Sequence, residues 1–242
     1  MLHLIHKVLG APIRATDGDI GTVDDFIIDL GGWAVRYLVV DTGNWFSGKK
    51  VLLSPMAVTG EWGVPGVAVN LSRERVWNSP AFDGPGTLPP EDETRVVDHY
   101  GHPRYWDATD VWGAHETPSA LLNASAAPPA PAAPATATAR RLTSASRVTG
   151  FHVAASDGEI GHVDDFLVGN DSWRVRYLLL DTSNWLGGRA VLLSPPFVSD
   201  VDETARLFHV STTRQAIMGA PRFASIEASL DAAETGPPFT II

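Results

Sequence analysis

The chain of 242 residues contains no cysteine. That absence excludes disulfides, zinc–thiolate sites, iron–sulfur clusters and a thiol nucleophile. No stretch approaches the ~20 apolar residues of a membrane-spanning helix. The start, Met1-Leu2-His3-Leu4-Ile5-His6-Lys7, lacks a basic segment leading into a long apolar run and a small-residue cleavage site. No secretory leader is expected, and the expected location is cytoplasmic. Cations are scarce: 18 Lys and Arg stand against 28 Asp and Glu, a net charge of −10. Phosphate-driven binding needs clustered Lys and Arg, and the densest runs are the pairs Lys49-Lys50 and Arg140-Arg141. No nucleic-acid partner is expected. Motifs of several enzyme classes are missing too. There is no Walker or Rossmann glycine loop and no Gly-Xaa-Ser-Xaa-Gly elbow.

What is present is a core-forming composition, 44% hydrophobic and 19% charged, and an internal repeat. Asp17 through Pro55 aligns without a gap with Asp157 through Pro195, at a constant offset of 140. Asp17-Gly18-Asp19-Ile20-Gly21 faces Asp157-Gly158-Glu159-Ile160-Gly161. Val23-Asp24-Asp25-Phe26 faces Val163-Asp164-Asp165-Phe166. Trp33, Val35-Arg36-Tyr37-Leu38, Asp41-Thr42 and Asn44-Trp45 recur at Trp173, Val175 to Leu178, Asp181-Thr182 and Asn184-Trp185. Beyond Pro55 one added residue shifts the offset, so Arg73 faces Arg214 and Pro80 faces Pro221. The expected organisation is a first module at 1–80, an aromatic and acidic tail at 81–118, an Ala/Pro-rich linker at 119–145, a second module at 146–223 and a C-terminal tail at 224–242. Modules this small bury only about 60% of their unfolded-chain surface, which favours two packing together.

Each module reads as all-β, with short β-branched and aromatic runs between turn signals. In the first copy strands are expected at Ile13–Ala15, Ile20–Leu30, Trp33–Asp41, Lys49–Ser54, Ala57–Thr59 and Val67–Leu71. Both faces of Trp33–Asp41 hold apolar side chains, so that strand is expected to be covered on both sides. Ser72 is placed to cap a short helix over Arg73–Trp77. So many short strands favour closure into a small barrel.

Three blocks carry a family resemblance: Asp17 to Phe26, Arg36 to Trp45, and Lys49 to Pro55, with their second copies from Asp157, Arg176 and Arg189. They resemble the PRC-barrel family. Asp98-His99-Tyr100-Gly101-His102-Pro103-Arg104-Tyr105-Trp106 resembles a tail that often follows such barrels in bacterial proteins. The resemblance implies two tandem PRC-barrel-like modules, packed as a pseudo-dimer. The family includes the cytoplasmic domain of the photosynthetic reaction-centre H subunit and the end of a ribosome-maturation factor, which act by protein contact. The implied function is therefore a non-catalytic scaffold or assembly module with an unidentified protein partner, not an enzyme. The alternatives are a metal- or small-ligand-binding stress-related protein and, by family resemblance alone, a photosynthetic reaction-centre-associated factor.

The candidate residues follow. Trp45, Phe46, Trp185 and Leu186 stand in Asn- and Gly-containing loops, where a large apolar side chain needs a cover; its own barrel, the sister barrel and a partner are the options. Asp17 and Asp157 suit turn hydrogen bonds. Asp24 and Asp25, with Asp164 and Asp165, lie on a strand with side chains on opposite faces. Arg36 and Arg176, if buried, require an acid, with those aspartates nearest by pattern. The acids lack EF-hand spacing. The pairs His3/His6 and His99/His102 have helical spacing for a metal, but the histidines do not recur between copies. Ser54 and Ser194 each precede a proline. No catalytic residue, metal site or cofactor is expected.

Overall fold

The structure, a computed structural model, describes residues 1–43, 48–63, 65–83, 86–107, 111–124, 140–183 and 188–220. The chain divides into two compact units, and the division is not contiguous. The amino-terminal unit comprises Lys7–Ser144 with Asn170–Arg174; the carboxy-terminal unit comprises Met1–His6, Ala145–Gly169 and Val175–Ile242.

The amino-terminal unit is built on β2 (Pro12–Ala15), β3 (Gly18–Asp29), β4 (Ala34–Asp41), β5 (Lys50–Leu53) and β6 (Val67–Ala68). The strand order is β5-β4-β3-β2-β6. A further strand, β7 (Leu142–Ser144), pairs with β3 in the register Ile27↔Ser144, Ile28↔Thr143, Asp29↔Leu142. Ile13, Phe26, Ile28, Leu38, Val40, Val51 and Leu53 are all inaccessible to solvent. Each such side chain contributes about 1.5–3 kcal/mol before the conformational entropy is subtracted. In β4 every residue from Ala34 to Val40 is buried, on both faces of the strand.

The sheet does not close into a barrel, among the described residues. The outer edge of β5 is met instead by the chain after Pro80, through the bridge Val51↔Ala81 and a bond from Phe82 N to Lys50 O (2.8 Å). The strand expected at Ala57–Thr59 is replaced by a 3-10 turn, Pro55–Ala57, and a single bridge Val58↔Val69. Ser54 caps that turn, its hydroxyl accepting from Met56 N, and proline then removes the ladder donor. After the single-turn helix α1 (Ile5–Val8), helix α2 covers Arg73–Trp77 with Ser72 accepting from Arg75 N, as the sequence indicates.

The segment read as an aromatic and acidic tail contains helix α3 (Pro90–Tyr100). It carries three acids in its first turn and ends at Gly101, whose φ of +67° suits a residue without Cβ. His99 thus lies on a regular helix, and His102 follows its end. The segment read as linker also starts in a helix, α4 (Pro118–Ala124), and ends in β7. The C-terminal tail from 224 lies outside the described residues.

The carboxy-terminal unit repeats the plan with β8 (His152–Ala155), β9 (Gly158–Gly169), β10 (Val175–Asp181), β11 (Ala190–Leu193), β12 (Val198–Asp202) and β13 (Leu207–Val210). The order is β11-β10-β9-β8-β13-β12, and β1 (Leu2–Leu4) pairs with β9. Its register is Leu2↔Gly169, His3↔Val168, Leu4↔Leu167. This too is an open sheet rather than a closed barrel, among the described residues.

One glycine fixes the same geometry in both units. Gly21 has φ +138°, and a Cβ there would lie 2.1 Å from Asp41 O; Gly161 has φ +146° and the same 2.1 Å clash with Asp181 O. The long strand crosses its neighbour so closely at this point that no side chain fits.

Candidate functional site

The recurring acids are held by the fold's own groups. Asp17 accepts from Arg73 N at 2.7 Å, tying the β2–β3 turn to the start of α2. Asp157 does the same with Arg214 N at 2.8 Å, and this bond, with the nearby guanidinium, lowers its pKa. Asp24 pairs with Lys50 at 2.7 Å, and that carboxylate raises the lysine pKa. Asp164 is exposed, and Ala190 stands where Lys50 stands in the first copy, so that pair cannot form.

Asp25 and Asp165 point the other way, into the units, as alternation along the strand requires. The Asp25 carboxylate accepts from Phe26 N (2.7 Å) and from the Ser144 hydroxyl at the end of β7. Asp165 lies 2.6 Å from His6 Nδ1 and 3.4 Å from His6 N, just beyond β1. Burial raises the pKa of Asp165, and the hydrogen bonds to Phe166 N and His6 oppose that rise. Each recurring buried aspartate therefore anchors a short strand that comes from the other repeat.

Arg36 is buried, but its partner is Asp29, not Asp24 or Asp25. Arg36 Nη2 donates to Asp29 Oδ2 at 3.0 Å, and Nη1 donates to Val111 O. Its guanidinium lies 3.9 Å from the Tyr105 ring centroid and 5.0 Å from that of Trp112. Asp24 faces the opposite side and Asp25 is taken by Ser144, which leaves Asp29 as the acid on the arginine's face. Arg176 is exposed; Gly169 occupies the position of Asp29, so the second copy has lost the acid.

Next to this pair, Glu93 of α3 is fully buried. Its Oε1 accepts from Tyr37 OH (3.1 Å) and Tyr105 OH (2.5 Å). Arg140 Nε lies 3.1 Å from Oε2, an ion pair without hydrogen-bond geometry. Burial raises the Glu93 pKa against these favourable neighbours and pushes both tyrosines well above 10. Trp112 and Trp62 complete the cluster by donating to Ser172 O and Asn170 O, both at 2.7 Å, and Trp62 stacks on Trp173 at 3.9 Å. Trp173 holds φ +56° and Trp33 φ +49°, a backbone region that costs a bulky residue of order 1 kcal/mol or more.

The loops singled out by their aromatics have matching bases. Thr42 Oγ1 donates to Lys49 O (2.5 Å) and Thr182 Oγ1 to Arg189 O (2.8 Å); Asp41 accepts from Gly43 N (2.8 Å) and Asp181 from Ser183 N (2.7 Å). Trp45, Phe46, Trp185 and Leu186 themselves lie outside the described residues. A cleft of about 260 Å³ opens in the amino-terminal unit between β5 and α3, lined by Leu52, Phe82, Leu88, Val96, Asp92 and Arg95 among others. Among the described residues no three His, Asp or Glu side chains converge as a metal site, and no helix is long and apolar enough to cross a membrane. His3 lies on β1 and His6 on Asp165, so that pair is not a ligand pair.

The sequence reading missed the Glu93 cluster and the exchanged strands. A start signal for α3 was present in Pro89-Pro90-Glu91-Asp92-Glu93. Leu2 and Leu142 stand at the same offset of 140 as the rest of the repeat.

A protein of Deinococcus radiodurans, designated uncharacterized, is 40% identical over 50 residues, which is 20% of this chain and 18% of that relative. The chain thus spans less than a fifth of the relative's length. The family match starts at Leu2 and so includes β1. Residues 2–66 match the PRC-barrel domain family.

Proposed function

We propose that this chain is a non-catalytic interaction protein, a scaffold or assembly module built from a duplicated PRC-barrel, which binds a protein partner through Trp45 and Trp185. The observation that supports this reading is the use made of the recurring polar groups. Asp17, Asp157, Asp25 and Asp165 hold backbone or exchanged strands, and Asp41 and Asp181 brace loops. What recurs beyond these is a pair of braced loops carrying tryptophan, a residue rich in contact energy at interfaces. The reading includes a pseudo-dimeric pairing of the repeats, supported by each unit's containing a short strand from the other repeat.

The test is retention of a partner by the intact protein at low salt, beside a Trp45→Ala/Trp185→Ala variant with unchanged circular dichroism. A partner kept by the wild type and lost by the variant supports the reading; equal retention, or none, overturns it. A second reading, binding of a small ligand, has the cleft beside β5 in its favour. A ligand-induced rise in melting temperature that is lost in Val96→Trp would establish it.

A further inference from the structure

The twelve-residue strand β9 has one neighbour along one edge and two along the other. β10 pairs with His162–Val168, while β8 covers the stretch from Gly158 to His162 and β1 covers Leu167–Gly169. Phe166, Leu167 and Val168 are inaccessible to solvent. Without β1, that half of the strand would present unpaired backbone groups beside a buried apolar surface, a template for another extended segment. β3 has the same arrangement, with β2 on its first half and β7 on its second.

The two acceptors match in register. Leu2 faces Gly169 and Leu142 faces Asp29, so donor and acceptor are both displaced by 140 between the copies. The acceptor edge is therefore a property of the module. Backbone pairing takes any extended chain; selection comes from the side chains. Leu2 and Leu4 are buried at alternate positions. Two residues beyond Leu4, the His6 imidazole reaches the Asp165 carboxylate at 2.6 Å. Asp165 is almost completely buried while the His6 side chain is 57% exposed, so the carboxylate is the fixed element and the imidazole the arriving one.

We propose that the edge of β9 beside Asp165 is a strand-acceptor site whose ligand, in trans, is the segment Leu2–His6 of a second copy of this chain. The proposal does not rest on the loop tryptophans. Within one chain the donor competes at an effective concentration in the millimolar range, so occupancy in trans emerges when the chain's own donor is weakened.

The experiment uses the full chain with Leu4→Asp, which places a charge at the second buried leucine and leaves the acceptor intact. A labelled peptide of residues 1–8 is titrated to about 2 mM, on the scale set by tethering. Saturable binding is expected, together with recovery of the melting temperature lost in the variant. The same peptide carrying Leu4→Asp should not bind, and one carrying His6→Ala should bind roughly tenfold more weakly, the fold-change for one hydrogen bond to a charged group. Should the Leu4→Asp chain not fold, a His6→Ala chain, which keeps its apolar contacts, takes its place. Mixing Leu4→Asp chains with Asp165→Asn chains, whose donor is intact, should give a heavier species in sedimentation that neither forms alone. Absence of peptide binding, or binding indifferent to both substitutions, overturns the site. Peptide binding without the heavier species overturns the assignment to a second copy.

Discussion

His102 is set to lose stability on mild acidification. It follows the left-handed Gly101, its backbone N–H donates to Val97 O at 3.1 Å, and its ring stacks on Tyr100 with centroids 5.6 Å apart. Its Nδ1 is buried without a hydrogen-bond partner, so a proton added there would be a buried, unsatisfied charge. Burial, and then the Arg75 guanidinium, lower its pKa from 6.5 to about 4. The unfolded chain accepts the proton near pH 6.5 while the folded chain refuses it until about 4. This contribution to stability is therefore complete above 6.5, declines as the pH falls toward 4, and is level below. The full span is worth about 3 kcal/mol, of which about 2.5 is lost by pH 4.5. Urea unfolding of the wild type and His102→Gln at pH 7 and pH 4.5 isolates it, because carboxyl groups titrate alike in both. The wild type should lose about 2.5 kcal/mol more than the variant between the two pH values. Parallel losses, or an imidazole that titrates near 6.5 by NMR, would refute the reasoning.

Three further outcomes are expected. Burial raises the Glu93 pKa, so its contribution is greatest below the ordinary carboxyl range and lost as the pH rises through the raised value. Against Glu93→Gln, the wild type should gain relative stability between pH 7 and pH 4.5 in urea titrations. Asp29→Ala leaves Arg36 buried without its carboxylate and should cost about 3–5 kcal/mol, much of it regained in Asp29→Ala/Arg36→Met, as a denaturation double-mutant cycle will show. Gly161→Ala should destabilise by more than about 1 kcal/mol in thermal melts. Gly150→Ala, where a Cβ meets nothing within 4 Å, should cost less.

The strands were legible where alternation and turn chemistry coincide. Trp33–Asp41 reads as a doubly covered strand, and the structure buries Ala34 through Val40. Helix α2 reads directly from Ser72. Partnership was less legible. Asp24, Asp25 and Asp29 lie within one strand, and only two irregularities in its pairing with β4, an extra residue at Asp24 in β3 and another at Arg36 in β4, decide which of them faces Arg36. Closure into a barrel was expected from strand count alone, which carries no information about what covers the β5 edge. The three-residue strands β1 and β7 are too short for any periodicity to register. The buried Glu93 was hidden among exposed acids of the same helix, because burial there depends on Tyr37 and Tyr105 arriving from other elements.

The exchanged strand also sets an order of events during synthesis. His6 and Asp165 meet across 159 residues of sequence, so β1 is made well before the strand that seats it. At ribosomal rates of about 5–20 residues per second, Leu2 and Leu4 wait on the order of 10–30 s for their acceptor to emerge. During that interval two leucines destined for burial are accessible to chaperones and to other nascent chains. Slowing translation between the repeats should lengthen this exposure without altering the mature protein's stability.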